Sequence, residues 1–219
     1  MAPHPTDYLV TQALIALDGL LPNDQSQIDL YVVGGYALQL ASVRVNPAEA
    51  TDVDYIGRAL DPEVRELVNR IGLQFGLGRG WINNDLLLNG NESIADLEEL
   101  VGPLAFNEVK IPELTHFRIW IADRVSLLRM KVQTLDTTLI AILGTEPLGG
   151  YGRLQDLPDI KSLITDLGYS EAEIRALVTE MASGGFLLAP EETLAATIAF
   201  LETEDHATAY QAAQVSSHG

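Results

Sequence analysis

The stretch from Val32 to Gly57, "VVGGYALQLASVRVNPAEATDVDYIG", constrains this fold more than any other. An apolar, valine-rich run ("DLYVV") ends in the pair Gly34-Gly35 and leads into the helix-like "YALQLAS". It reads as a buried strand with a tight glycine turn. After the loop "NPAEA", the segment "TDVDYIG" alternates and reads as a second strand. A helix within residues 6–22, ending at Gly19 or Leu21 before Pro22, precedes this unit, and another follows it in "DPEVRELVNRIGLQFG", with Pro62 in its first turn.

Further along, "GLGRGWINND" is irregular, "SIADLEELVGPL" reads as a short helix and "HFRIWIA" as a strand. From there only helices are expected. "DRVSLLRMKVQTLDTTLIAIL" follows Asp123 as cap, and "DLPDIKSLITDLG" stops at Gly168. "SEAEIRALVTEMASGG" opens on the capping box Ser170–Glu173, and a last helix covers "PEETLAATIAFLETED". The fold class is α/β in the α+β sense: a small mixed sheet carrying the site and a helical C-terminal part. The expected divisions are an α/β core over 1–122, a helical part over 123–205 that completes the site, and a flexible tail over 206–219.

With 219 residues, 47% of them hydrophobic, the chain can bury a sizeable core. It has no cysteine, which excludes disulfides and thiolate metal sites and fits a reducing cytoplasm. The N-terminus lacks the basic and apolar regions of a secretory signal, and no apolar run approaches the roughly 20 residues of a membrane span. A cytoplasmic protein without a membrane partner is expected. The net charge of −18 repels phosphate backbones, which argues against general DNA or other nucleic-acid binding. A local groove for one RNA end, or a basic protein partner, stays compatible with it. The plain reading of the charge is solubility.

Asp52 and Asp54 are the first chemical candidates. Residues i and i+2 of a strand share a face, about 6.5–7 Å apart, where two carboxylates repel unless something compensates. One solution is a hard cation such as Mg²⁺; the other is an exposed face with two solvated charges. Gly34 and Gly35 bear on that choice, because bare backbone lets a phosphate approach closely. Their simpler role is a tight strand–helix turn. Lys131 falls on the apolar stripe of its helix with Leu127, Leu128 and Leu135, so it needs an anionic partner or must snorkel to water. A phosphate, Asp54 or Asp156 would serve as that partner. Asp156 and Asp159 sit at a helix start, where capping and the helix dipole explain both. Trp81 and Asn83 either shape a base pocket or pack. "GLGRG" is no dinucleotide fingerprint, and no P-loop or zinc spacing occurs.

Taken in order, "VVGGYALQL … TDVDYIG", "GWINND", "VSLLRMKVQTL" and "RLQDLPDIKSLI" resemble the nucleotidyltransferase fold. The resemblance is to an uncharacterised bacterial branch related to the abortive-infection (AbiEii-type) toxins of toxin–antitoxin systems. It covers roughly residues 30 to 168. It implies that Gly34 and Gly35 hold an NTP and that Asp52 and Asp54 ligate Mg²⁺. Lys131 would contact a phosphate, and Asp156 would act near the reacting hydroxyl, with Asp159 as a lesser member. Arg44 and Arg153 match family arginines that contact phosphate, although the insert "VNPAEA" and a long stretch before Arg153 depart from the pattern. Asp85, Glu108 and Glu113 are the candidates for a third metal-site carboxylate, none on an evident neighbouring strand. The implied partners are a nucleoside triphosphate, an RNA, protein or small-molecule acceptor, and a cognate antitoxin. The alternative is a non-catalytic nucleotide-binding or protein-interaction member of the same fold.

Overall fold

The computed structural model describes residues 5–43, 50–84, 93–143 and 154–217. The chain divides into two compact units. One comprises Met1–Leu97 with Leu104–Asp123, the other Glu98–Pro103 with Arg124–Gly219.

The first unit is built on a five-stranded mixed sheet. Its strands are β1 (Ile28–Val33), β2 (Val53–Ile56), β3 (Ile82–Asn83), β4 (Phe106–Val109) and β5 (Phe117–Ala122), in the order β3-β2-β1-β5-β4. β1 runs parallel to β5 and antiparallel to β2; β2 and β3 are parallel, and β4 returns antiparallel to β5. Alternation sorts the two faces. Leu30, Val32, Phe117 and Ile119 are buried, while Asp29, Tyr31, Arg118 and Trp120 between them are half-buried. β4 was not expected, because "FNEV" carries no buried alternation; it is an edge strand held by its pairing to β5.

The helices α1 (Leu9–Asp18), α2 (Gly34–Leu40) and α3 (Pro62–Phe75) complete the core. α1 buries Val10, Ala13, Leu14 and Leu17, each worth about 1–3 kcal/mol once removed from water. The hydroxyls of Thr11 and Tyr36 meet at 2.6 Å and tie α1 to α2. Burial raises the Tyr36 hydroxyl well above its ordinary pKa, so it stays a neutral hydrogen-bonding group. Gly72 lets the "GLGRG" turn fold back on α3: a Cβ there would lie 2.0 Å from the Gly78 carbonyl and 2.3 Å from the Trp81 ring. Trp81, 1% exposed, donates from Nε1 to the Val68 carbonyl at 2.8 Å. Trp81 is therefore packing.

Asp18, at the end of α1, fixes the start of β5. Its carboxylate accepts from the Thr115 amide and hydroxyl at 2.9 and 2.7 Å, and from the His116 and Phe117 amides at 2.8 and 2.9 Å. Burial alone would raise its pKa, but these donors outweigh it and hold the carboxyl below the usual range.

The second unit is helical. α4 (Ile94–Val101) leads into it, followed by α5 (Arg124–Leu143), α6 (Leu157–Leu167), α7 (Glu171–Ser183), α8 (Pro190–Thr203) and α9 (His206–Ser216). α6 and α8 pack on α5, and α9 packs on α8. Asp136 of α5 receives the Leu188 and Ala189 amides, both at 2.9 Å, and the Thr193 hydroxyl at 3.0 Å, which sets where α8 begins. The expected capping box is present: the Ser170 hydroxyl accepts from the Glu173 amide while the Glu173 carboxylate accepts from the Ser170 amide.

The expectation of a flexible tail from residue 206 is corrected. Asp205 caps α9 by accepting from the Thr208 amide at 2.9 Å, and Ala209, Tyr210 and Ala213 are buried. The small residues of "HATAYQAAQ" suit close helix packing, a signal easily mistaken for low information. No helix among the described residues is long and apolar enough to cross a membrane.

Candidate functional site

β2 places Asp54. Its neighbours Val53 and Tyr55 are buried in the core at 0% and 3% exposure, so alternation turns Asp54 to the opposite face. Asp52 immediately precedes the strand and is exposed. Asp54 is paired with Val33 on one side and with Asn83 on the other.

Gly34 follows Val33 and opens α2 directly; the helix starts on the glycine pair itself, with Val33 as N-cap. Gly34 has φ +68°, and a Cβ on it would lie 2.6 Å from Asp54 Oδ2. The Asp54 carboxylate therefore rests against backbone that only glycine leaves bare. α2 has seven residues, so close approach, rather than a long helix dipole, is what the glycine pair offers an anion. Gly35 is half-exposed beside it.

Asp54 and Asn83 are paired across β2 and β3, and Asp52 lies two residues before Asp54 in sequence. Side-chain oxygens of this kind suit a hard cation such as Mg²⁺, and the place a Gly34 side chain would take is filled by Asp54 Oδ2. Among the described residues no group of three or more His, Cys, Asp or Glu could hold a metal ion. Glu108 lies exposed on β4, with β1 and β5 between it and β2, and Glu113 is exposed outside the strands. Asp85 lies outside the described residues, as do Arg44 and Arg153.

Lys131, Asp156 and Asp159 come together within the helical unit. Lys131 extends from α5 and donates to Asp156 Oδ1, and its ammonium lies 3.0 Å from Asp159 Oδ2. The lysine side chain is 16% exposed and the carboxylates 12% and 11%. Burial would lower the lysine pKa, but the charges and hydrogen bonds of Asp156 and then Asp159 overcome it and leave the pKa raised. Capping was the plain alternative for Asp156; it precedes α6, yet its side chain makes no cap bond. The buried ammonium takes the carboxylate instead, because an unpaired lysine there would cost more than an uncapped amide.

One cluster went unread in the sequence. Asp29, Tyr31, Phe106, Arg118 and Trp120 gather on the sheet face that also carries Asp54. Tyr31 stacks on Trp120 at 5.9 Å, Phe106 meets Tyr31 edge-on at 5.3 Å, and the Arg118 guanidinium lies 5.4 Å from the Trp120 ring centre. Asp29 accepts from Arg118 at 2.5 and 2.8 Å and from Trp120 Nε1 at 3.0 Å. The Arg118 bonds, aided by Trp120, outweigh burial and hold the Asp29 carboxyl below its usual range. The alternation of "IDLYVV" against "FRIWIA" puts these side chains on the face opposite Leu30, Val32, Phe117 and Ile119.

The fold is α+β, a five-stranded mixed sheet joined in sequence to a helical unit. No protein-family model, curated protein or solved structure matches the chain.

Proposed function

We propose that the chain is a Mg²⁺-dependent nucleotidyltransferase, transferring a nucleoside monophosphate from an NTP to a hydroxyl on RNA, protein or a small molecule. The observation that carries this reading is the Asp54 carboxylate seated against Gly34, with Asp52 two residues before it. Asp52 and Asp54 hold the cation, and the bare backbone at Gly34 and Gly35 receives the triphosphate. Bound Mg²⁺ supplies positive charge to the phosphoryl oxygens. The acceptor oxygen forms its bond to the α-phosphorus as the bond to pyrophosphate breaks, and the hydroxyl proton passes to solvent. The motif order that resembles abortive-infection toxins supports a cytoplasmic setting with a cognate antitoxin.

The experiment is incubation of the protein with labelled NTPs, Mg²⁺ and total bacterial RNA, then protein acceptors, alongside Asp54→Ala. Label transfer that is lost in the variant is expected. Absence of both transfer and Mg²⁺-dependent thermal stabilisation by any NTP sinks the reading.

A second reading is a non-catalytic nucleotide-binding or protein-interaction module. It is favoured by the lack of a third acid beside Asp54 among the described residues, and by Lys131 being paired with two carboxylates of its own unit. A phosphate role for Lys131 would require it to exchange those partners. Nucleotide-dependent stabilisation without transfer to any acceptor would decide for this module.

A further inference from the structure

Asn83 is the side chain that the sheet sets directly beside Asp54. The parallel pairing of β2 with β3 puts Val53 against Ile82 and Asp54 against Asn83. Val53 and Ile82 are buried at 0% and 6% exposure, so Asp54 and Asn83 share the other face. Adjacent strands lie about 4.8 Å apart, which brings the two side chains next to each other. β3 is only two residues long, but its end is fastened: Asn84 Nδ2 donates to the Gly57 carbonyl, just past β2, at 3.2 Å. The Asp54 carboxylate thus lies between a glycine without a side chain and a neutral carboxamide.

The chemistry of that amide differs from that of a third acid. Its oxygen is a neutral donor to a hard cation, and its NH₂ can hydrogen-bond a carboxylate or phosphate oxygen. Cation affinity at oxygen sites rises with the number of charged ligands, and Mg²⁺ is commonly held by one or two carboxylates plus substrate phosphates. An aspartate at position 83 would add a third negative charge about 5 Å from Asp54 and repel an arriving triphosphate.

We infer that Asn83 is the third donor of the site and sets its charge, so that the cation is bound jointly with a nucleoside triphosphate rather than alone. This rests on Asp52 and Asp54 being cation ligands. The test uses the full chain with Mn²⁺ as probe, read by electron paramagnetic resonance without nucleotide. Mn²⁺-dependent retention of labelled NTPs is measured in parallel on wild type, Asn83→Asp, Asn83→Ala and Asp54→Ala, with circular dichroism to verify folding. Wild type should bind Mn²⁺ alone only weakly, and Asn83→Asp should tighten that binding about tenfold or more. Asn83→Ala should weaken Mn²⁺-dependent NTP retention several-fold. If Asn83→Asp leaves Mn²⁺ affinity within about twofold of wild type while Asp54→Ala abolishes NTP retention, the inference fails and the nucleotide site stands. If wild type retains no NTP, or Asp54→Ala retains it unchanged, the site reading fails and the inference with it.

Discussion

The sheet unit and the helical unit use aspartate in different ways. In the helical unit the buried aspartates are answered by the fold: Asp136 by two amides and a hydroxyl from the start of α8, Asp156 and Asp159 by Lys131. Asp18 of the sheet unit follows the same rule. Asp54 does not. It lies against a glycine in the left-handed region, beside a neutral amide, with an exposed Asp52 close in sequence. Carboxylates that gather donors from distant segments are explained by folding, since each satisfies amides that would otherwise be buried unpaired. At Gly34 the missing side chain makes way for the Asp54 carboxylate itself, so the glycine is required by the close seating of Asp54 as well as by its left-handed backbone.

The largest break in this comparison is Lys131→Met. Removing the ammonium leaves two carboxylates, each about nine-tenths buried, facing one another. A loss of about 3–5 kcal/mol in urea unfolding is expected. Adding Asp156→Asn and Asp159→Asn to the same chain should recover much of it. A loss under about 1 kcal/mol would show that Lys131 is not structural and return it to the phosphate role.

Next come the clamps. Asp136→Ala strips the start of α8 of its acceptor and should cost about 2–3 kcal/mol. Asp18→Asn should cost slightly less and also change the acid limb of stability. The folded pKa of Asp18 is lowered, so in acid the unfolded chain binds the extra proton. Its contribution is therefore complete above the unfolded carboxylate pKa and lost as pH falls through the folded one. Unfolding free energies of wild type and Asp18→Asn, followed downward from neutral pH, should converge through that range. Parallel curves would refute the clamp.

What was legible in the sequence follows the same division. Valine-rich β1, the alternating "TDVDYIG" and "HFRIWIA", and the Ser170–Glu173 box carry local patterns, and each formed the element expected. Lys131 was legible as a lysine on an apolar stripe that needs an anion, and Asp156 was among the partners considered. The capping alternative for Asp156 does not hold, because capping is decided by what else competes for the carboxylate, a tertiary matter. β4 and α9 were missed because their signals are non-local: one is an edge strand held by pairing, the other a helix of small residues held by α8. The juxtaposition of Asn83 with Asp54 depends on strand register, which periodicity does not supply. The rings of Tyr31 and Trp120 stack on each other, and the Arg118 guanidinium lies over Trp120, so the cluster spends these contacts on itself.

A smaller effect separates shape from charge at the site. Gly34→Ala forces a Cβ into the left-handed region, at about 1–2 kcal/mol, and against Asp54. The melting temperature should fall modestly, while Mg²⁺-dependent stabilisation by NTPs should be lost entirely. If the nucleotide response survives, Gly34 serves the turn and not a ligand.

The smallest effect is the control for the Lys131 cluster. Arg175 and Glu171 form an i,i+4 pair on α7 with N···O 2.6 Å, but their side chains are 54% and 58% exposed. Contact distance alone would rank this pair near Lys131 and Asp159. Water and salt screen it, and two long side chains lose freedom to form it, so a double-mutant cycle should yield about 0.3–0.5 kcal/mol. In 1 M salt, where the screening length is about 3 Å, that coupling should fade, whereas the loss from Lys131→Met should change little. A coupling above about 1 kcal/mol that persists at high salt would mean that exposure does not govern the worth of ion pairs in this unit. The inference of a structural Lys131 would then need a basis other than its burial.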